Sequence, residues 1–119
     1  MSKAGSQAVA DVFSALGDET RLALVGKLGA GQPLSATALS DGARVTRQAI
    51  VKHLQVLEGA GLVSHERHGR QVLYALDTRR LNEAKTFLDR VSASWDHALE
   101  RLRAMVEAPE PPPRKKRKR

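Results

Sequence analysis

Apolar residues recur at helical spacing through the first half of the chain. Val9, Val12, Phe13 and Leu16 predict a helix over Ala8 to Leu16, closed by Gly17. Asp18 is suited to cap a second helix whose predicted apolar face is Leu22, Val25 and Leu28, broken by Gly29, Gly31 and Pro33. Leu34-Ser35 is expected to restart a short helix through Leu39, with Gly42 permitting the tight turn after it. Thr46 caps a further helix to about Glu58, ended by Gly59 and Gly61. The period then changes. Leu62 to His68 and Arg70 to Leu76 read as strands, the second placing Val72, Tyr74 and Leu76 on one side, with His68-Gly69 as the predicted turn. A long helix follows from about Asp77 to Glu107. The fold class expected is mainly α with a β-hairpin: a winged helix-turn-helix.

The faces of the Thr46–Glu58 helix differ in chemistry. About 100° per residue places Leu54 and Leu57 near Ile50 as a core stripe. Arg47, Gln48, Val51, Lys52 and Gln55 share another arc. Two cations, two amides and one aliphatic side chain are the groups that read guanine, adenine and the thymine methyl in the major groove. Lys52 would serve equally on a phosphate. An ordinary amphipathic surface helix would also be polar outside; Val51, expected exposed on a polar arc, and the turn and hairpin on either side favour a DNA-reading helix. His53 falls on the core flank, as a packed histidine making one hydrogen bond. Arg67-His68-Gly69-Arg70 forms a basic hairpin tip that suits phosphate or the minor groove, against the alternative of a solvated turn.

Leu81, Ala84, Leu88, Val91, Trp95, Ala98, Leu102 and Met105 keep a 3-4 spacing, the seam of a helix lying along another helix. So long a stripe exceeds what a small domain covers by itself. Pairing with a second copy, with Val9, Val12, Phe13 and Leu16 alongside, would bury it. The expected molecule is a homodimer joined through its first and last helices, with Trp95 as an interface anchor or, alternatively, a pocket wall.

Composition narrows the function classes. With 119 residues, 41% hydrophobic and 3% aromatic, the chain has room for one aliphatic-cored domain. It has no cysteine, which removes disulfides, thiolate metal sites and cysteine nucleophiles. No signal peptide or membrane span is read from the sequence, and a cytoplasmic, nucleoid-associated protein is expected. The net charge is +7, and six of the cations lie in Pro109–Arg119, leaving 14 positive and 12 negative residues upstream. Within those, Arg44, Arg47, Lys52, Arg67 and Arg70 concentrate the excess around the candidate helix and wing. Residues 1–7 are expected to be a flexible N-terminus and residues 108–119 a disordered Pro-rich, basic tail. That tail is read as a DNA-contacting arm; a nuclear localisation signal and fortuitous composition are the alternatives.

Several of these segments resemble the ArsR/SmtB family of winged-helix repressors: Leu16-Gly17-Asp18-Glu19-Thr20-Arg21-Leu22, Val45–Leu54, Val56–Val63, and Gly69-Arg70 with Tyr74-Ala75-Leu76. The resemblance covers about Val9 to Leu102. It implies an obligate homodimer, an operator-binding helix in the major groove and repression relieved by a signal. Many members sense metals, through cysteines or through Asp-x-His and His-x-x-His/Glu on the last helix. Here His97 and Glu100 match the second pair, but Ala84 and Thr86 stand where the first would be. No metal and no cofactor are therefore expected, and His97 and Glu100 read as a helix-surface pair.

The protein is thus expected to be a metal-independent dimeric repressor bound to a palindromic operator in double-stranded DNA, answering to its own concentration, a small molecule or a partner protein. The alternatives are a winged-helix protein-interaction module with weak DNA binding, or a metal-responsive repressor with an atypical site. No nucleophile–base pair, metal constellation or phosphate-cradling loop suggests an enzyme.

Overall fold

The computed structural model describes residues 3–107; the basic tail lies outside them. The elements are α1 (Lys3–Leu16), α2 (Glu19–Leu28), β1 (Leu34–Ser35), α3 (Ala36–Ser40), α4 (Arg47–Gly59), β2 (Val63–His68), β3 (Gln71–Leu76) and α5 (Thr78–Glu107). Residues up to Lys85 form one compact unit and the chain from Thr86 a second. The core of the first unit is aliphatic: Val12, Leu24, Leu28, Leu39, Ile50, Leu54, Leu57 and Leu62 are its largest enclosed side chains.

Four features differ from the sequence expectation. α1 begins at Lys3, ahead of the apolar pattern and within the segment expected to be flexible, with Gln7 donating to Asp11 one turn on. On α2 the buried residues are Leu24 and Leu28, while Leu22 is 56% exposed. Leu22 and Leu24 lie about 200° apart on the helix, so only one of them can face the core.

Leu34-Ser35 is a strand rather than the start of a helix. It pairs antiparallel with β3, Leu34 opposite Tyr74 and Ser35 opposite Leu73, giving a three-stranded sheet in the order β1-β3-β2. A two-residue strand has no periodicity to read, and its partner lies far along the chain. Ser35 then caps α3, its hydroxyl accepting from the Ala38 amide at 3.1 Å. The hairpin turn is Gly69-Arg70, one residue later than expected, because His68 still pairs with Gln71; Gly69 takes φ +64°.

The helix starts depend on side-chain caps. Asp18 accepts the Arg21 amide at 3.0 Å, and that bond above all holds its carboxyl below the usual carboxylate range. Asp77 accepts the Arg79 guanidinium at 2.8 Å and the Arg79 amide at 3.1 Å, which lower its pKa to about 2, the guanidinium contributing most. A carboxyl whose pKa falls on folding stabilises fully above its unfolded value of 3.8, and that stabilisation disappears as pH drops through the folded value. The urea midpoint should therefore decline between about pH 4 and about pH 2. The decline should be shallower in Asp77→Asn, which keeps a capping oxygen that does not titrate; equal slopes would remove Asp77 from the acid transition.

Candidate nucleic-acid interface

α3, the turn after it and α4 form the helix-turn-helix. Gly42 adopts φ +76° in the turn, and Val45 packs against the core just before α4. Thr46 caps α4, its hydroxyl accepting from the Ala49 amide at 3.1 Å. Ile50, Leu54 and Leu57 are the buried face of α4, the stripe expected from sequence.

With that stripe fixed, Thr46, Arg47, Gln48, Lys52 and Gln55 are exposed. Arg47 does not project freely: its Nε donates to the Thr37 hydroxyl of α3 at 3.1 Å. This bond orients the guanidinium across the helix-turn-helix while leaving its terminal nitrogens available.

Val51 is half-buried and packs on the core, so the unusual aliphatic residue on the polar arc is explained by packing, without a thymine methyl. It also floors a groove of about 690 Å³ between α3, α4 and the wing, lined by Ser35, Thr37, Arg47, Arg70, Gln71 and Tyr74 among others. Arginines from both the helix and the wing thus border one concave surface. Thr37, Ser35 and Gln71 had no sequence signal as site residues beyond the capping character of Ser35. Their place depends on the β1–β3 pairing, which brings α3 and the wing strand together.

The wing does not use its three basic residues alike. Arg67 stands opposite Val72, whose side chain packs on the core, so Arg67 shares that face of the hairpin. His68 stands opposite Gln71 on the other face, and its Nε2 lies 3.5 Å from the Glu66 carboxylate. Arg67, His68 and Arg70 are all exposed.

His53 is half-buried, as its place on the core flank suggests. The Arg21 guanidinium lies 3.3 Å from His53 Nδ1. On β2, His65 pairs with Glu58 of α4 at 2.8 Å.

The residues expected at a dimer face divide. Val12 is fully enclosed and Val9 5% exposed within the single chain, so neither offers surface to a partner; Phe13 and Leu16 are half-buried. On α5, Leu81 and Ala84 face the core of the first unit. Leu88, Val91, Trp95, Leu99, Leu102 and Met105 are exposed, Trp95 by 62%. His97 and Glu100 are exposed on the same helix, Ala84 is buried and Thr86 exposed. Among the described residues no three His, Cys, Asp or Glu side chains come together, and no helix is long and apolar enough to cross a membrane. A transition metal needs about four donors, and the side chains at these four positions do not provide them.

A helix-turn-helix with an exposed cationic and amide face, flanked by a basic β-hairpin, defines a winged helix-turn-helix DNA-binding protein. A helix-turn-helix domain model matches residues 16–66. The chain is 35% identical over 96 residues to an HTH-type transcriptional regulator of Mycobacterium tuberculosis, Rv2034, covering 81% of this chain and 86% of that protein. It is 35% identical over 95 residues to a transcriptional repressor SmtB homolog of Synechocystis, covering 79% and 71%. An ArsR-like transcriptional regulator from Rhodococcus superposes with a TM-score of 0.72 at 36% identity, over 87% of this chain and 97% of that one. The chain belongs to the ArsR/SmtB family, and it is a DNA-binding transcriptional regulator rather than an enzyme.

Proposed function

We propose that the protein is a metal-independent repressor that binds a palindromic operator as a homodimer. The observation that carries this is the polar face of α4, with Arg47, Gln48, Lys52 and Gln55 exposed together beside a groove that Arg70 of the wing also lines. Arg47 and Gln48, in the first turn, address base edges; Lys52 and the wing arginines address phosphates, with Val51 shaping the floor. Dimerisation is supported by the apolar stripe of α5 from Leu88 to Met105, which a second copy of the same helix would bury. A homodimeric winged helix-turn-helix domain from Mycobacterium bovis shares the fold, with a TM-score of 0.61. Metal independence is supported by the donor set on α5 and by the absence of cysteine from the chain. The inducing signal would then be protein concentration, a small molecule or a partner protein acting on the angle between protomers. A DNA target is consistent with a cytoplasmic protein at the nucleoid, where residues 114–119, six consecutive cations, would add salt-sensitive affinity.

The test is a mobility-shift titration of the DNA upstream of the protein's own gene, with random-sequence competitor at physiological salt. Retention of one discrete fragment, unchanged by added zinc and by added chelator, is the expected result. Equal retention of all fragments would contradict sequence-specific binding, and release of the fragment on adding zinc would contradict metal independence.

A further inference from the structure

One side chain ties three helices together where the recognition helix turns away from DNA. The Arg21 guanidinium, on the first turns of α2, donates through Nε to the Ala15 carbonyl at 2.6 Å, in the last turn of α1. Its terminal nitrogen reaches His53 Nδ1 on α4 at 3.3 Å. The Asp18 carboxylate, which accepts the Arg21 amide, stands 3.8 Å from the same histidine nitrogen. A guanidinium only donates, so the Arg21 contact uses Nδ1 as its acceptor, in the tautomer that carries the ring proton on Nε2.

The apolar packing of Ile50, Leu54 and Leu57 already attaches α4 to the domain. Those contacts fix which face of α4 turns inward, but being non-directional they set its exact rotation less sharply than a directional bond does. A hydrogen bond is angle-dependent, and His53 is the residue directly after Lys52 on the exposed arc. We infer that Arg21 and His53 form a strut that sets the rotation of α4, making both of them positioning residues for operator recognition. Neither touches DNA. Their effect reaches the bases through the direction in which Arg47, Gln48 and Lys52 project. The inference rests on α4 being the helix that reads the operator.

The test compares operator and random-sequence affinity in the full chain for His53→Leu, His53→Asn, Arg21→Met and the His53→Leu/Arg21→Met pair. Asn places an acceptor oxygen near the position of Nδ1, whereas Leu fills the site without one. His53→Leu and Arg21→Met should each lower the operator-to-random affinity ratio by about tenfold, the scale of one charge-assisted hydrogen bond. The double variant should lose little more than either single one, and His53→Asn should recover most of the ratio. Random-sequence affinity should stay within about twofold throughout, because the phosphate contacts remain. If His53→Leu lowers thermal stability but leaves the ratio unchanged, or if His53→Asn behaves as His53→Leu does, the strut does not position the helix. If wild-type protein itself shows no operator preference, the failure lies with the operator-binding proposal.

Discussion

Trp95→Asp should convert the dimer to a monomer at micromolar concentration and remove operator binding with it. Trp95 is 62% exposed at the middle of the α5 stripe, between Val91 and Leu99. A centrally buried tryptophan contributes about 2 kcal/mol or more to an interface. The two-fold axis counts the change twice, so the dimer dissociation constant should rise by about a thousandfold. A carboxylate facing its own symmetry mate adds repulsion in the same direction. The core of the first unit does not include Trp95, so the circular dichroism spectrum should stay helical. Sedimentation equilibrium gives the mass directly. A variant that remained dimeric would move the interface away from this face of α5.

Arg47→Ala should weaken operator binding by roughly 10- to 100-fold, the scale of one bidentate arginine–guanine contact, and random-DNA binding by much less. Thr37 holds Arg47 Nε at 3.1 Å, which would lower the rotamer entropy lost in such a contact. Thr37→Val, which keeps the shape and removes the acceptor, should reproduce a smaller share of the same loss. Equal weakening on operator and random DNA would assign Arg47 to a phosphate. Fluorescence anisotropy at two salt concentrations separates the cases, because a lost phosphate contact also reduces the salt slope by about one.

Much of the fold was legible in the chain. The recognition helix was legible because its core stripe, its Thr46 cap and its polar arc are all local, each decided by residues within a few positions of one another. The hairpin was legible for the same reason, to within one residue at the turn, since register depends on cross-strand pairs that spacing alone does not resolve. β1 was not. Two residues, Leu34 and Ser35, become a strand only because β3 arrives beside them, and that pairing assembles the groove shared by α3, α4 and the wing. Val51 shows the limit in another way. Its position on the arc was right, but how deeply the neighbouring elements cover it is a tertiary fact. The same holds for Val9 and Val12, where helical spacing identified an apolar face and the packing directed those two residues into the protomer. The Arg21–His53 contact joins residues far apart in sequence, and no periodicity reports it.

Varying the spacing of two half-sites in the operator reports directly on how the two copies sit on DNA. If two copies present α4 to neighbouring major grooves on one side of the duplex, their separation is fixed at about one helical turn. Inserting about 5 base pairs should then abolish cooperative binding, and inserting about 10 should restore at most part of it. The bound species at the natural spacing should contain two chains per duplex. Affinity that ignores the insertion, or a bound species with one chain, would rule out two copies presenting α4 to neighbouring grooves.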